Sequence, residues 1–235
     1  MSNPYAAIFD MDGVLVDTYH AHYCSWLAMA EPEGLHFTEA DFAPTFGRTS
    51  REIIAHFWGR DRYNDAQIAA LDERKEAAFR RIIESEFPAM PGVDRLLAAL
   101  SEADFALAVG SSGPPENVDV VLDRLQARPL FGAVVTGMDV TRGKPDPQVF
   151  LLAAERLGVP AARCAVIEDA PAGVAAAHAA GMASVGLLST GRTRQALADA
   201  DAIVGSLGEI SPEMLRGLID RSSGRQRRDR RSRKA

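Results

Sequence analysis

The chain predicts an α/β fold: a doubly wound parallel sheet with an all-helical cap domain inserted after its first strand. Three observations carry that expectation. From Pro91 onward, short apolar runs alternate with helical patterns. Residues 18–88 hold helical periodicity and no strand-like alternation. The short apolar run ending at Phe9 stands before that helical block and pairs naturally with the later runs, so the block reads as an insertion over the strand ends.

Taken in order, the first strand leads into Asp10-Met11-Asp12-Gly13. Helices are expected from Thr18 to Ala30, with Tyr23, Trp26 and Leu27 at helical spacing, from Glu52 to Trp58 behind a Thr49 or Ser50 cap, and from Asn64 or Asp65 through Ile83. His22 and Trp26 fall on the face expected to overlook the cleft. Beyond Pro91, strands are expected at Phe105–Val109, Ala133–Val135, Ala165–Ile167, Ala183–Leu188 and Ala202–Val204. Helices fall between them at Val93–Ser101, Glu116–Leu125, Pro147–Leu157 and Ala172–Ala180.

With 235 residues and 47% hydrophobic content, the chain has material for one large or two modest domains with a real core. No segment approaches the ~18 consecutive apolar residues of a membrane span, and Met1-Ser2-Asn3-Pro4 carries no basic apolar leader, so a cytoplasmic protein is expected. Cys24 and Cys164 lack metal spacing and read as inert thiols. The formal net charge of −6 hides an asymmetry: residues 221–235 hold eight of the 26 basic residues and one of the 32 acids, leaving 18 basic and 31 acidic residues before them. Such a body repels nucleic acid, and only the tail could attract it. Only Lys75 and Lys144 are lysines in that body. Each poses the question why a compact point charge stands where arginine is otherwise used.

Four segments carry chemistry. Asp10 and Asp12 are two residues apart on an extended stretch, so both carboxylates can share one mouth, and Gly13 allows a sharp turn beside a ligand. One can attack phosphorus and the other shuttle a proton, given a hard cation held through oxygen. A calcium loop is disfavoured because Val14-Leu15-Val16 follows where polar ligands would be needed. Ser111-Ser112-Gly113 ends a strand and meets Pro114-Pro115-Glu116 at a helix start, a site for an anion, while no GxGxxG or GxxxxGK[ST] occurs. Lys144 sits in the stiff loop Gly143-Lys144-Pro145-Asp146-Pro147 and can neutralise both a phosphate and Asp10. Glu168 and Asp169 end an apolar strand, which is costly without a cation; Asp169 is the expected metal ligand, with Glu168 ligating through water or orienting the shell, and an N-cap role for Asp169 is the competing reading.

In this order, and each at an expected strand end, these four segments resemble the haloacid dehalogenase superfamily, specifically its β-phosphoglucomutase-like phosphatases with a helical cap. The resemblance covers residues 5 to about 220. It implies a Rossmann-like core over 1–17 and 89–220, a cap over 18–88, and a basic tail over 221–235 that has no counterpart and is expected to be disordered. It further implies that Asp10 forms an aspartyl-phosphate, that Asp12 is general acid and base, that Ser111, with Ser112, and Lys144 hold the phosphoryl group, and that Mg2+ sits on Asp10, Asp169 and the Asp12 carbonyl. In the cap, His22, Arg51 and Lys75 look like substrate-holding residues, although the loop near Gly47 is one residue out of step with the family pattern. Asp12 argues against dehalogenase and phosphonate-cleaving members, which lack it.

The expected activity is Mg-dependent hydrolysis of a small phosphomonoester, a sugar phosphate, by a monomer. A phosphomutase interconverting hexose 1-phosphate and 6-phosphate is the alternative, since a second phosphate held by the cap would let a bisphosphate intermediate turn around. A noncatalytic or RNA-associated protein acting through its tail is the third reading.

Overall fold

The computed structural model describes residues 5–46, 48, 50–59 and 62–232, with the side chains of Arg51 and residues 225–232 left out of that description. Among the described residues, strands β1 (Ala6–Phe9), β2 (Ala106–Gly110), β3 (Phe131–Val135), β4 (Cys164–Glu168), β5 (Ala183–Leu187) and β6 (Ala202–Val204) form one sheet. All pairs are parallel, in the order β3-β2-β1-β4-β5-β6. The order turns back on itself beside β1, which puts the ligand crevice at the carboxyl ends of β1, β2 and β4.

Both faces of this sheet are covered, which is why its strands read as continuous apolar runs. Ala7 and Phe9 of β1 pack with residues of α5 (Val93–Glu102), α6 (Pro115–Arg124) and α9 (Pro212–Ser232). Ala6 and Ile8 pack on the opposite side with residues of α7 (Gln148–Leu157) and α8 (Pro171–Ala179). The period of two within β1 thus divides one strand between two cores.

Between β1 and α5 lie the helices α1 (Tyr19–Ala30), α2 (Glu39–Phe42), α3 (Ser50–Trp58) and α4 (Asp65–Ser85). They enclose an apolar cluster of their own, with Trp26, Phe37, Phe42, Ile54 and Leu71 buried in it. Asn64 opens α4 with a capping box, accepting the Gln67 N–H while the Gln67 side chain accepts the Asn64 N–H. The two chain segments joining this unit to the sheet run side by side: Asp17 N–H donates to the Pro88 carbonyl at 2.9 Å and Met90 N–H to the Leu15 carbonyl at 3.0 Å.

Several expectations are corrected. Trp26 is buried at 1% exposure inside the cap cluster and does not overlook the cleft, because periodicity defines a helix's apolar face without saying what that face meets. Helix α1 starts at Tyr19 and not at Thr18, whose hydroxyl is engaged elsewhere. The short α2 and the whole of α9 were not expected, although Leu215, Leu218 and Ile219 have helical spacing and are buried. Helix α9 continues to Ser232, where a disordered tail was expected from Arg221. Its docked first turns supply the nucleus, and Arg and Gln then propagate helix at low cost. Thr49 and Gly47 lie outside the described residues. No helix among the described residues is long and apolar enough to cross a membrane.

Candidate active site

Four strand ends deliver the site. Asp10 follows β1, where its N–H donates to the Ile167 carbonyl at 3.0 Å and fixes the carboxylate beside the end of β4. Lys144, from the loop before α7, donates to Asp10 Oδ1 at 2.8 Å and to Glu168 Oε1 at 2.7 Å, with Phe150 beneath its ammonium at 4.9 Å. The other Glu168 oxygen accepts the Ala170 N–H at 2.6 Å. Asp169 Oδ2 accepts Ser189 Oγ at 2.8 Å and Arg192 Nε at 2.9 Å. Helix α8 has Ala170 at its N-cap and no side-chain cap, so the capping role considered for Asp169 is not the one it takes.

Two glycines make this convergence possible. Gly13, at φ +78°, would put a Cβ 2.4 Å from Asp169 Oδ2, and Gly173 would put one 1.8 Å from Glu168 Oε1. Any side chain at either position would collide with an acid of the site.

Electrostatics match a cation pocket. Burial raises the Asp10 carboxyl well above its ordinary value; Lys144 opposes this, while Glu168, Asp12 and Asp169 reinforce it. Asp169 is likewise pushed up to about 6 by burial, against the lowering influence of Arg192. Burial also works to lower Lys144, but Asp10 and Glu168 outweigh it and raise the ammonium, which therefore stays charged. Oxygens of Asp10, Glu168 and Asp169 lie within 4.8 Å of one another, and all three residues are buried. Three buried hard oxygen donors this close together repel one another unless a cation lies between them, and they could hold a divalent ion.

Asp12 stands in a different environment. Its Oδ1 accepts Thr18 Oγ1 at 2.7 Å and His22 Nε2 at 3.1 Å. Burial works to raise this carboxyl, yet the His22 ring, the bonds from His22 and Thr18, and the Lys75 ammonium together hold it below the ordinary value. His22 stacks on Phe79 with ring centroids 4.2 Å apart, and its Nδ1 lies 2.9 Å from Lys75 Nζ. An ammonium has no acceptor to offer, so Nδ1 is the acceptor and Nε2 carries the hydrogen given to Asp12.

Asp10, Asp12, Ser112, Lys144, Glu168 and Asp169 line one cleft, together with Phe46 of the cap and Arg192. Ser111 is fully buried beside it, and its Oγ accepts the Gly113 N–H at 3.0 Å. His22 and Lys75 reach the site through Asp12, whereas the Arg51 side chain lies outside the described residues. Thr18, Ser189 and Arg192 were missed. The strand-end rule that singled out the four motifs points equally to Ser189-Thr190-Gly191-Arg192 after β5 and was not applied there. Cys164 is buried and its thiol pushed up to about 12 by that burial, as fits an inert group.

Known proteins carry the same architecture. β-Phosphoglucomutase of Bacillus subtilis (strain 168) is 35% identical over 217 residues, spanning 89% of this chain and 93% of that one. Validoxylamine A 7'-phosphate phosphatase of Streptomyces hygroscopicus subsp. limoneus is 32% identical over 209 residues, 87% and 94% of the two chains. The crystal structure of β-phosphoglucomutase from Clostridium difficile superposes with a TM-score of 0.84 at 25% identity, over 93% of this chain and 98% of that one. Residues 6–181, which hold β1, the inserted helices and the four converging segments, match the model of the haloacid dehalogenase-like hydrolases, and the chain belongs to that family.

Proposed function

We propose that this hydrolase is a magnesium-dependent phosphatase of small phosphomonoesters, with a sugar phosphate as substrate and Asp10 as the nucleophile. The observation that carries the reading is the Asp10–Lys144–Glu168 junction: a buried carboxylate held by a lysine that also binds a second acid, beside a third. The carboxylates of Asp10 and Asp169 and the Asp12 carbonyl oxygen would hold Mg2+, with Glu168 ligating through water or orienting that shell. Once bound, the ion supplies positive charge against which an anionic nucleophile and an anionic ester can meet.

The chemistry divides into two displacements. An Asp10 oxygen bonds to phosphorus as the ester P–O bond breaks, and Asp12, which rests ionised and must first take up a proton, gives that proton to the departing alkoxide. Water then attacks the aspartyl-phosphate, Asp12 takes back a proton, and the bond between phosphorus and Asp10 breaks to release phosphate. Lys144 neutralises equatorial oxygens, and Ser111 and Ser112 offer hydroxyl or N–H donors from the end of β2. His22, Arg51 and Lys75 are assigned to the cap side of the cleft. The cap comprises residues 18–88 and the core 1–17 with 89–220, acting as a cytoplasmic monomer without nucleic-acid partners.

The similarity to a β-phosphoglucomutase over most of both chains supports a second reading, transfer between the 1- and 6-positions of a hexose phosphate. The validoxylamine phosphatase similarity supports hydrolysis. A panel of sugar phosphates with Mg2+, scored for free phosphate and isomerised ester with and without a hexose bisphosphate, separates them. Phosphate release from several esters is expected; isomerised product as the main output would replace the phosphatase reading. Asp10→Asn should lower phosphate release by at least about 1,000-fold.

A further inference from the structure

The cleft does not account for Glu76. This carboxylate of α4 is 7% exposed and serves three elements at once. Its Oε1 accepts Lys75 Nζ at 2.8 Å and Ser50 Oγ at 3.2 Å, the latter from α3, the helix that also carries Arg51. Its Oε2 accepts Asn117 Nδ2 at 2.6 Å. Asn117 lies on α6, the core helix that follows the Ser111-Ser112 loop, and is 1% exposed; its Oδ1 accepts Arg80 Nη1 at 3.3 Å, a second bond back to α4.

Burial would raise Glu76, but the Lys75 ammonium and the bonds from Lys75 and Asn117 hold it below its ordinary value, so it is an anion. A buried anion with three donors drawn from cap and core is not an incidental surface pair. Taking the core helix away would leave the carboxylate short of one strong donor. Lys75 would then lose the fixed orientation in which it gives a hydrogen to His22.

We propose that Glu76, held by Asn117 across the boundary between cap and core, is a positioning residue that aims Lys75 at His22 and thereby readies Asp12 for proton transfer only when the cap rests on the core. The inference deepens the phosphatase reading and rests on Asp12 as the proton carrier. Neither Glu76 nor Asn117 touches the cleft. Their influence runs along an unbroken hydrogen-bonded chain, Asn117 to Glu76 to Lys75 to His22 to Asp12.

The test exploits leaving groups. Glucose 6-phosphate expels an alkoxide that must be protonated, whereas 4-nitrophenyl phosphate expels an anion that needs no proton. In both cases kcat/KM covers the steps through aspartyl-phosphate formation. For Asn117→Ala and Glu76→Gln with Mg2+ present, kcat/KM should fall about 10- to 100-fold on the sugar ester and less than about 3-fold on the aryl ester, within the usual worth of general acid catalysis. Equal losses on both esters, or none on either, would overturn the proposal, since a merely structural role affects both alike. Thermal melts accompany each variant. Should Asn117→Ala fail to fold, Glu76→Gln, which keeps the side chain's shape, gives the same readout. A wild-type enzyme that hydrolyses neither ester would remove the phosphatase reading itself, a result distinct from an unaltered ratio between the esters.

Discussion

Asp10 and Asp12 are two residues apart, yet their environments push them in opposite directions. Asp10 is raised by burial among acids, whereas Asp12 is lowered by His22, Thr18 and Lys75 against the pull of burial. Under the proposed roles, Asp10 needs a cation beside it to be ionised, while Asp12 rests as the ionised member of the pair. Asp169 gives the pH dependence. Its carboxyl sits at about 6 against an ordinary 3.8, so between those values the folded protein retains a proton that the unfolded chain has released. Its burial therefore costs stability that grows as pH rises through this window and is fully present above it. Bound Mg2+ requires the ionised form and offsets that cost. Thermal melts should consequently show a Mg2+ increment of several degrees at about pH 7.5 that shrinks towards zero at about pH 5; equal increments at both would contradict the assignment. Gly173 allows a second check. Alanine is ordinarily favoured over glycine in a helix, but its Cβ would stand 1.8 Å from Glu168 Oε1, so collision outweighs propensity. Gly173→Ala should cost about 1–3 kcal/mol, read as a fall in Tm of about 2–4 °C per kcal/mol, and should weaken Mg2+ binding in calorimetry.

At the level of elements, α4 matters more than its distance from the sheet suggests, because Lys75, Glu76 and Phe79 on one of its faces all serve His22 directly or through one partner. Its start depends on the Asn64–Gln67 capping box. Asn64→Ala should therefore destabilise the protein by about 1 kcal/mol, whereas Asn64→Ser, which keeps a capping oxygen, should recover most of that in the same urea titration. Helix α9 shows how composition can mislead. The arginine-rich stretch after Asp220 favours a reading of disorder, but Leu215, Leu218 and Ile219 pack into the core and the backbone stays helical beyond them. The bonds that matter most between elements were the least legible: Asn117 and Glu76 are 41 residues apart, and no local pattern pairs an asparagine on a core helix with a glutamate on a cap helix.

Across the molecule, the order β3-β2-β1-β4-β5-β6 turns four separate sequence motifs into one cleft. This convergence was legible because each motif follows a short apolar run, and parallel strands present their carboxyl ends on one side. The meeting of Asp10, Lys144, Glu168 and Asp169 could be read that way. Arg192, which binds Asp169 and donates to the Phe46 carbonyl at 3.2 Å, was not, because its loop was never treated as a fifth strand end. The face of α1 that meets the cleft was misjudged at Trp26 for a different reason: amphipathic spacing is the same whether a helix packs on its own domain or over another.

The proposed chemistry depends on phosphorus bonding covalently to Asp10. Rapid acid quenching of the Mg2+-loaded enzyme with a 32P-labelled sugar phosphate, followed by peptide mapping, tests this directly. Label is expected on the peptide containing Asp10 and is expected to be absent in Asp10→Asn. Rapid phosphate release with no labelled peptide at any quench time, or label on another residue, would contradict it.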